Sequence, residues 1–252
     1  MTILVAVPCA AEGQSVESGF LDRSVWVSGD TLPYQVYVPA DYSDADRWPV
    51  ILFLHGAGER GTDGLRQTVA GLAPAIRNDP ERFPAIVVFP QAPPDSTWSG
   101  VPARAAMAAL DSVMARYSID PDRVYLTGLS MGGNGAWRLG YRHPERFAAI
   151  APICGWVTDH PGFPTSDPVT DPAHGDSFEA LADRLRAMPI WIFHGEVDQA
   201  VPVSESRQAA AALEAAGSTA RYTEIPGTGH NAWDPAYASH EFTDWLFAQR
   251  RR

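Results

Sequence analysis

Long apolar runs are missing from this chain, and it has only two cysteines. Nothing approaches the roughly 18 apolar residues of a membrane span, so a helical membrane protein is excluded. Cys9 and Cys154 make no disulfide framework; Cys154, just behind an apolar run, reads as a small buried side chain. Positive charge is scarce too: 19 basic against 30 acidic residues leave a net charge of −11. A surface of that sign repels phosphate backbones and anionic lipid, so neither nucleic acid nor a membrane is an expected partner. The one basic cluster, Arg250-Arg251-Arg252, is expected to be a frayed tail. Repeats and low-complexity tracts are absent as well.

What is present suits one α/β domain with a sizeable core: 252 residues, 45% of them hydrophobic. Residues 1–23 read as a leader or the remnant of a trimmed signal. Residues 3–7 are apolar and Cys9-Ala10-Ala11 resembles a cleavage site, but no basic residues precede them. Cytoplasmic and secreted locations both fit. From residue 24 to 252 strands and helices alternate, which predicts a mostly parallel central sheet with helices on both faces. Residues 24–27 and 32–38, joined at Ser28-Gly29-Asp30, predict an antiparallel N-terminal hairpin at the sheet edge. Apolar runs at 50–54, 85–89, 147–153 and 190–193, with 123–127 and 220–225, predict further strands. Helices are expected over 105–117, 133–141, 204–216 and 236–248. Residues 155–177 break the rhythm, with Pro161, Pro164, Pro168 and Pro172 and several aspartates. Loops after strand C-termini line the crevice of such sheets, so this one is expected to border the site.

The chemistry concentrates in Gly128-Leu129-Ser130-Met131-Gly132-Gly133. A G-x-S-x-G pattern between a β-branched strand and a helix stands a serine in a tight, strained turn. A serine hydroxyl needs a general base, and the base needs an orienting acid. Of the histidines after Ser130, His230 lies in the glycine-rich loop Gly227-Thr228-Gly229-His230-Asn231 behind a strand, and is expected to be the base. Asp198, in His194-Gly195-Glu196-Val197-Asp198, is expected to be the acid, with Glu196 and Asp234 as rivals. The oxyanion hole is expected from the backbone N–H of Met131 and of Ala57, in His55-Gly56-Ala57-Gly58. His55 itself reads as a structural strand-end histidine.

These segments, together with Glu59-Arg60-Gly61 and Pro90-Gln91, run through most of the chain in one order. By them the chain resembles serine esterases of the α/β-hydrolase superfamily, in the branch of compact carboxylesterases, feruloyl esterases and "predicted peptidases". The resemblance implies an α/β-hydrolase fold, a Ser130-His230-Asp198 triad, acyl-enzyme chemistry on a small-molecule ester and no cofactor. A serine peptidase and a non-catalytic binding module on the same fold remain as alternatives.

Trp98, Trp156 and Trp233 follow strand ends and are expected either to wall an acyl or aromatic pocket or to cover the core edge. Glu59 and Arg60 either pair with each other or anchor the oxyanion loop. His160 and His174, with Asp159, Asp167, Asp171 and Asp176, match no compact ligand spacing, so no metal is expected.

Overall fold

The computed structural model describes residues 17–165 and 167–251; Cys9 and the apolar stretch 3–7 lie outside them. Eight strands form one sheet: β1 (Gly19–Val27), β2 (Asp30–Val38), β3 (Trp48–Leu54), β4 (Ile86–Pro90), β5 (Ile119–Leu129), β6 (Ala149–Ile153), β7 (Trp191–Gly195) and β8 (Arg221–Ile225). Their order is β1-β2-β4-β3-β5-β6-β7-β8. The β1–β2 and β2–β4 pairs are antiparallel and the rest parallel. Seven α-helices surround it among the described residues: α1 (Leu72–Asn78), α2 (Gly100–Arg116), α3 (Met131–Arg142), α4 (Ser177–Leu185), α5 (Ser204–Ala215), α6 (Trp233–Ala238) and α7 (His240–Ala248).

Side-chain alternation along the strands divides the interior into two cores. In β3, Val50, Leu52 and Leu54 face one, with Leu110 of α2, Trp137 of α3, Leu181 of α4 and Leu213 of α5. Ile51 and Phe53 face the other, with Ile76 of α1, Tyr237 of α6 and Phe242 of α7. Strands buried on both faces explain why their sequences are continuous apolar runs rather than alternating ones. This is the expected layered sheet with an antiparallel N-terminal pair.

Several boundaries differ from expectation. The hairpin's first strand begins at Gly19, not residue 24, because Gly19 to Arg23 pair with Val38 back to Tyr34. Residues 19–23 therefore belong to the sheet rather than to a leader. The expected closing helix over 236–248 is two helices, broken where Ser239 turns extended and its hydroxyl accepts from Phe242 N. Helix α4 was not foreseen after the long loop; Asp176 caps it by accepting from Phe178 N and Glu179 N at 2.8 and 3.0 Å. Of the basic cluster, Arg250 and Arg251 are held rather than frayed: Arg250 reaches Asp120 at 3.1 Å and Arg251 reaches Asp122 at 3.3 Å, at the start of β5; Arg252 lies outside the described residues. All 19 Lys/Arg positions are arginines, so among the described residues the cation of each such ion pair is a guanidinium, bidentate between Arg207 and Glu224. No helix among the described residues is long and apolar enough to cross a membrane.

Candidate active site

Strand β5 ends at Leu129 and α3 begins at Met131, leaving Ser130 alone in the turn with φ 52° and ψ −117°. Left-handed φ on a serine costs energy that the surrounding packing must supply. Glycines make that packing possible. A Cβ on Gly132 would stand 1.9 Å from the Leu54 carbonyl oxygen, and one on Gly128 would meet the Gly132 carbonyl at 2.4 Å. The first turn of α3 thus lies directly on the end of β3. Gly132→Ala forces backbone apart at the sheet centre and is expected to cost about 3 kcal/mol or more, a fall of roughly 10 °C in melting temperature. Gly58→Ala, where a Cβ meets open space, is the control; equal melting of the two variants would refute the packing argument.

Ser130 is 9% exposed. Its Oγ lies 2.9 Å from His230 Nε2, and His230 Nδ1 lies 2.7 Å from Asp198 Oδ2. The three come from different places: the elbow, the loop after β8 and the loop after β7. Close backbone contact again sets the spacing, since a Cβ on Gly195 would strike the Gly229 carbonyl at 2.0 Å. The two loops carrying Asp198 and His230 therefore lie against each other. The rival carboxylates are engaged elsewhere: Glu196 accepts from Gly227 N and Asp234 from Asn231 Nδ2, both at 2.7 Å.

The Asp198 side chain is fully buried. Burial disfavours its charge, yet donors from His194, His230, Val201 N and Ala200 N hold the carboxyl well below the usual carboxylate range. With the carboxylate ionised, the His230 nitrogen facing it carries the proton, and Nε2 is left as an acceptor for the Ser130 hydroxyl.

The loop after β3, the candidate oxyanion side, is held from behind. His55 is buried, and burial drives its imidazole down to about 4, so it is neutral. Its Nε2 accepts from Ala92 N at 3.0 Å, which leaves the proton on Nδ1 to donate to the Gly56 carbonyl at 2.6 Å. A planar trans peptide points its C=O and N–H in opposite directions. Fixing the Gly56 carbonyl toward His55 therefore turns the Ala57 N–H to the other side of the loop. Arg60 tightens the same turn, donating from Nε to the Ala57 carbonyl at 2.9 Å and from Nη1 to Ser96 O at 3.3 Å, so it anchors the loop. Met131 N–H lies at the first position of α3, where the helix dipole favours negative charge.

The tryptophans separate. Trp98 is 1% exposed and donates from Nε1 to the His55 carbonyl at 2.9 Å. It braces the loop after β3 from the core, and at that exposure its ring is a core side chain rather than an open wall. Trp156 is buried as well, stacked on Phe163 at 5.1 Å. Trp233 alone stays half-buried, edge-on to the His230 ring at 5.3 Å.

The loop after β6 runs between the two halves of this constellation. His160 donates from Nε2 to Ala200 O at 3.2 Å on the acid side, and Phe163 lies 5.9 Å under the Arg60 guanidinium on the oxyanion side. Glu205 of α5 pins it, accepting from Val157 N at 2.8 Å and Thr158 N at 3.2 Å. Farther along, Asp167 is bonded to Arg142 and lies 3.7 Å from the buried Arg138.

Cys154, His194 and Asp198 bring possible metal-ligand atoms within 4.8 Å of one another, a trio the sequence spacing hid. Their atoms are consumed by hydrogen bonds. Cys154 Sγ donates to the His230 carbonyl at 3.2 Å, and burial pushes its thiol up to about 12. His194 has its Nδ1 against Ser206 Oγ at 2.7 Å and its Nε2 against Val201 O at 3.1 Å.

Comparison with known proteins agrees with this architecture. A thermostable esterase of known structure is 33% identical, with a TM-score of 0.77 over 92% of this chain and 63% of its own. A ferulic acid esterase at 18% identity superposes with a TM-score of 0.71 over 92% of this chain and 99% of its own, a likeness of fold alone. An uncharacterized secreted protein of Arthroderma benhamiae is 29% identical over 200 residues, 72% of this chain and 21% of that protein. The chain thus spans about a fifth of that relative and under two thirds of the esterase. Residues 95–249 match the prolyl oligopeptidase family; that stretch is more than half of the chain and holds the elbow, Asp198 and His230, so the protein, with its α/β-hydrolase fold, belongs to that family.

Proposed function

We propose that this chain is a serine hydrolase of carboxylic esters, working in one catalytic domain through Ser130, His230 and Asp198. The observation that carries the reading is the unbroken line from Ser130 Oγ through both nitrogens of His230 to the buried carboxylate of Asp198. His230 Nε2 takes the proton as Ser130 Oγ attacks the ester carbonyl. Met131 and Ala57 N–H stabilise the tetrahedral oxyanion. The C–O bond then breaks, and the alcohol leaves with the proton from His230. Water, deprotonated by the same imidazole, attacks the acyl-enzyme and releases the acid and free Ser130.

The esterase and ferulic acid esterase among the similar structures favour an ester, with Trp233 beside the base as the aromatic surface an aryl acyl group would meet. The family's name favours a second reading, peptide hydrolysis by the same groups. The secreted Arthroderma relative favours export over a cytoplasmic location. The deciding experiment assays p-nitrophenyl esters of increasing acyl length and methyl ferulate beside peptide p-nitroanilides. Ester turnover is the expected result, and the preferred acyl group separates a short-chain carboxylesterase from a feruloyl esterase. Turnover of the anilides alone would overturn the ester reading in favour of a peptidase. No turnover, with no labelling by a fluorophosphonate, would favour a binding module.

A further inference from the structure

We infer that His194 and Ser206 form a positioning pair that orients the Asp198 carboxylate toward His230, an inference that rests on the hydrolase reading above. His194 lies in the buried strand β7 and its ring is inaccessible. A histidine there is expensive unless both nitrogens are satisfied, and apolar packing alone would be met by leucine. Its Nε2 faces two acceptors, the Val201 carbonyl at 3.1 Å and Asp198 Oδ2 at 3.2 Å, so it carries the proton and shares it between them. Alignment favours the carbonyl; the carboxylate oxygen is the second branch. Its Nδ1, the bare nitrogen, accepts from the Ser206 hydroxyl of α5 at 2.7 Å. Ser206, itself buried, thus satisfies the bare nitrogen of the tautomer whose Nε2–H faces Val201 O and Asp198 Oδ2.

Asp198 is held on both oxygens. Oδ1 accepts from Ala200 N at 2.8 Å and Val201 N at 3.0 Å, which fixes the bend of its own loop. Oδ2 accepts from His230, and His194 reaches that same oxygen. The loop amides fix Oδ1, and His194 adds a second contact to the oxygen that faces His230. The other titratable groups near this pair are Cys154, whose thiol is bonded to the His230 carbonyl, Glu224, the β8 neighbour of His194 held by Arg207, Glu196, bonded across to Gly227 N of the His230 loop, and Asp234, bonded to Asn231. None of them donates to Oδ2 among the described residues. Withdrawing the His194 donor leaves a more basic carboxylate, which stabilises protonated His230.

The test combines kinetics with a readout independent of turnover. Wild type, His194→Leu, His194→Gln and Ser206→Ala are compared by melting temperature, by the pH profile of kcat/KM on p-nitrophenyl acetate, and by proton and nitrogen spectra of the chain labelled at histidine nitrogens. The wild-type spectrum is expected to hold slowly exchanging imidazole N–H signals from His230 Nδ1–H and His194 Nε2–H, beside that of the buried His55 Nδ1–H, which serves as the unperturbed reference. His194→Leu is expected to lower kcat on the order of 10- to 100-fold, leave KM unchanged and move the acid limb to higher pH, with the His230 signal displaced. His194→Gln, which keeps a donor near the Nε2 position, is expected to restore both readouts. A folded His194→Leu with the wild-type profile and His230 signal would overturn the inference, as would a glutamine variant as impaired as leucine. Should the leucine variant not fold, Ser206→Ala decides. A displaced His230 signal and a shifted acid limb support the pair, and an unchanged spectrum overturns it. If wild type hydrolyses no ester, the ester reading fails by itself while the spectra still decide whether His194 holds Asp198.

Discussion

Ser130→Ala is expected to lower kcat on p-nitrophenyl acetate by about 10⁶-fold and to abolish fluorophosphonate labelling, with little change in melting temperature. The oxygen removed is the one 2.9 Å from His230 Nε2, the atom that bonds to the acyl carbon in the proposed reaction. No neighbour replaces it. Cys154 is buried with its thiol pushed up to about 12 and directed at the His230 carbonyl, so it is a poor nucleophile. Stability changes little because alanine meets the same left-handed strain at φ 52° that serine does. Residual labelling or turnover above about a hundredth of wild type would place the nucleophile elsewhere.

Asp198→Asn is expected to cost about 10⁴-fold in kcat/KM, and the reason is specific to this site. An amide presents one acceptor and one donor. Ala200 N and Val201 N both donate to Oδ1, so the amide oxygen must occupy that position. Its NH₂ then faces His230 Nδ1 and His194 Nε2, both of which carry protons in the wild-type arrangement. His230 escapes the clash of donors by moving its proton to Nε2, where it faces Ser130 and can no longer act as base. Kinetics with the melting curve of the variant checks this; loss of less than tenfold would show that the carboxylate does not set the tautomer. A stability effect accompanies it. The folded Asp198 carboxyl titrates below its unfolded value, because paired donors outweigh burial. Stabilisation from its ionised form is therefore complete above the ordinary carboxylate range, about pH 4. It is lost as pH falls through the depressed folded value. The stability gap between wild type and Asp198→Asn is expected to be full at pH 7 and to shrink in strong acid.

Both results depend on groups that differ in how visible they are along the chain. Ser130 announces itself through its glycines, and His230 and Asp198 through loops placed after strands in a fixed order. His194 and Ser206 carry no such signal, since a histidine ending a strand and a serine in a helix are ordinary residues until β7 and α5 bring them within 2.7 Å. The same holds for Trp98. Its position after a strand fits either a pocket wall or a cover of the core edge; Gly135 leaves room for its ring, and its indole N–H reaches the His55 carbonyl.

By itself the sequence determined the alternation of strands and helices, the sheet buried on both faces, the antiparallel edge pair and the elbow. These follow from local patterns: continuous apolar runs, glycine where backbones crowd, and caps and breakers within a few residues. Only the tertiary structure decided where β1 begins, which tryptophans face inward and which side chains hold the acid. The helix break is a local cap, Ser239 on Phe242 N; the triad and the side chains that hold its acid depend on partners 12 to 100 residues away. Burial and hydrogen-bond satisfaction are properties of the assembled neighbourhood, and no short window of sequence contains them.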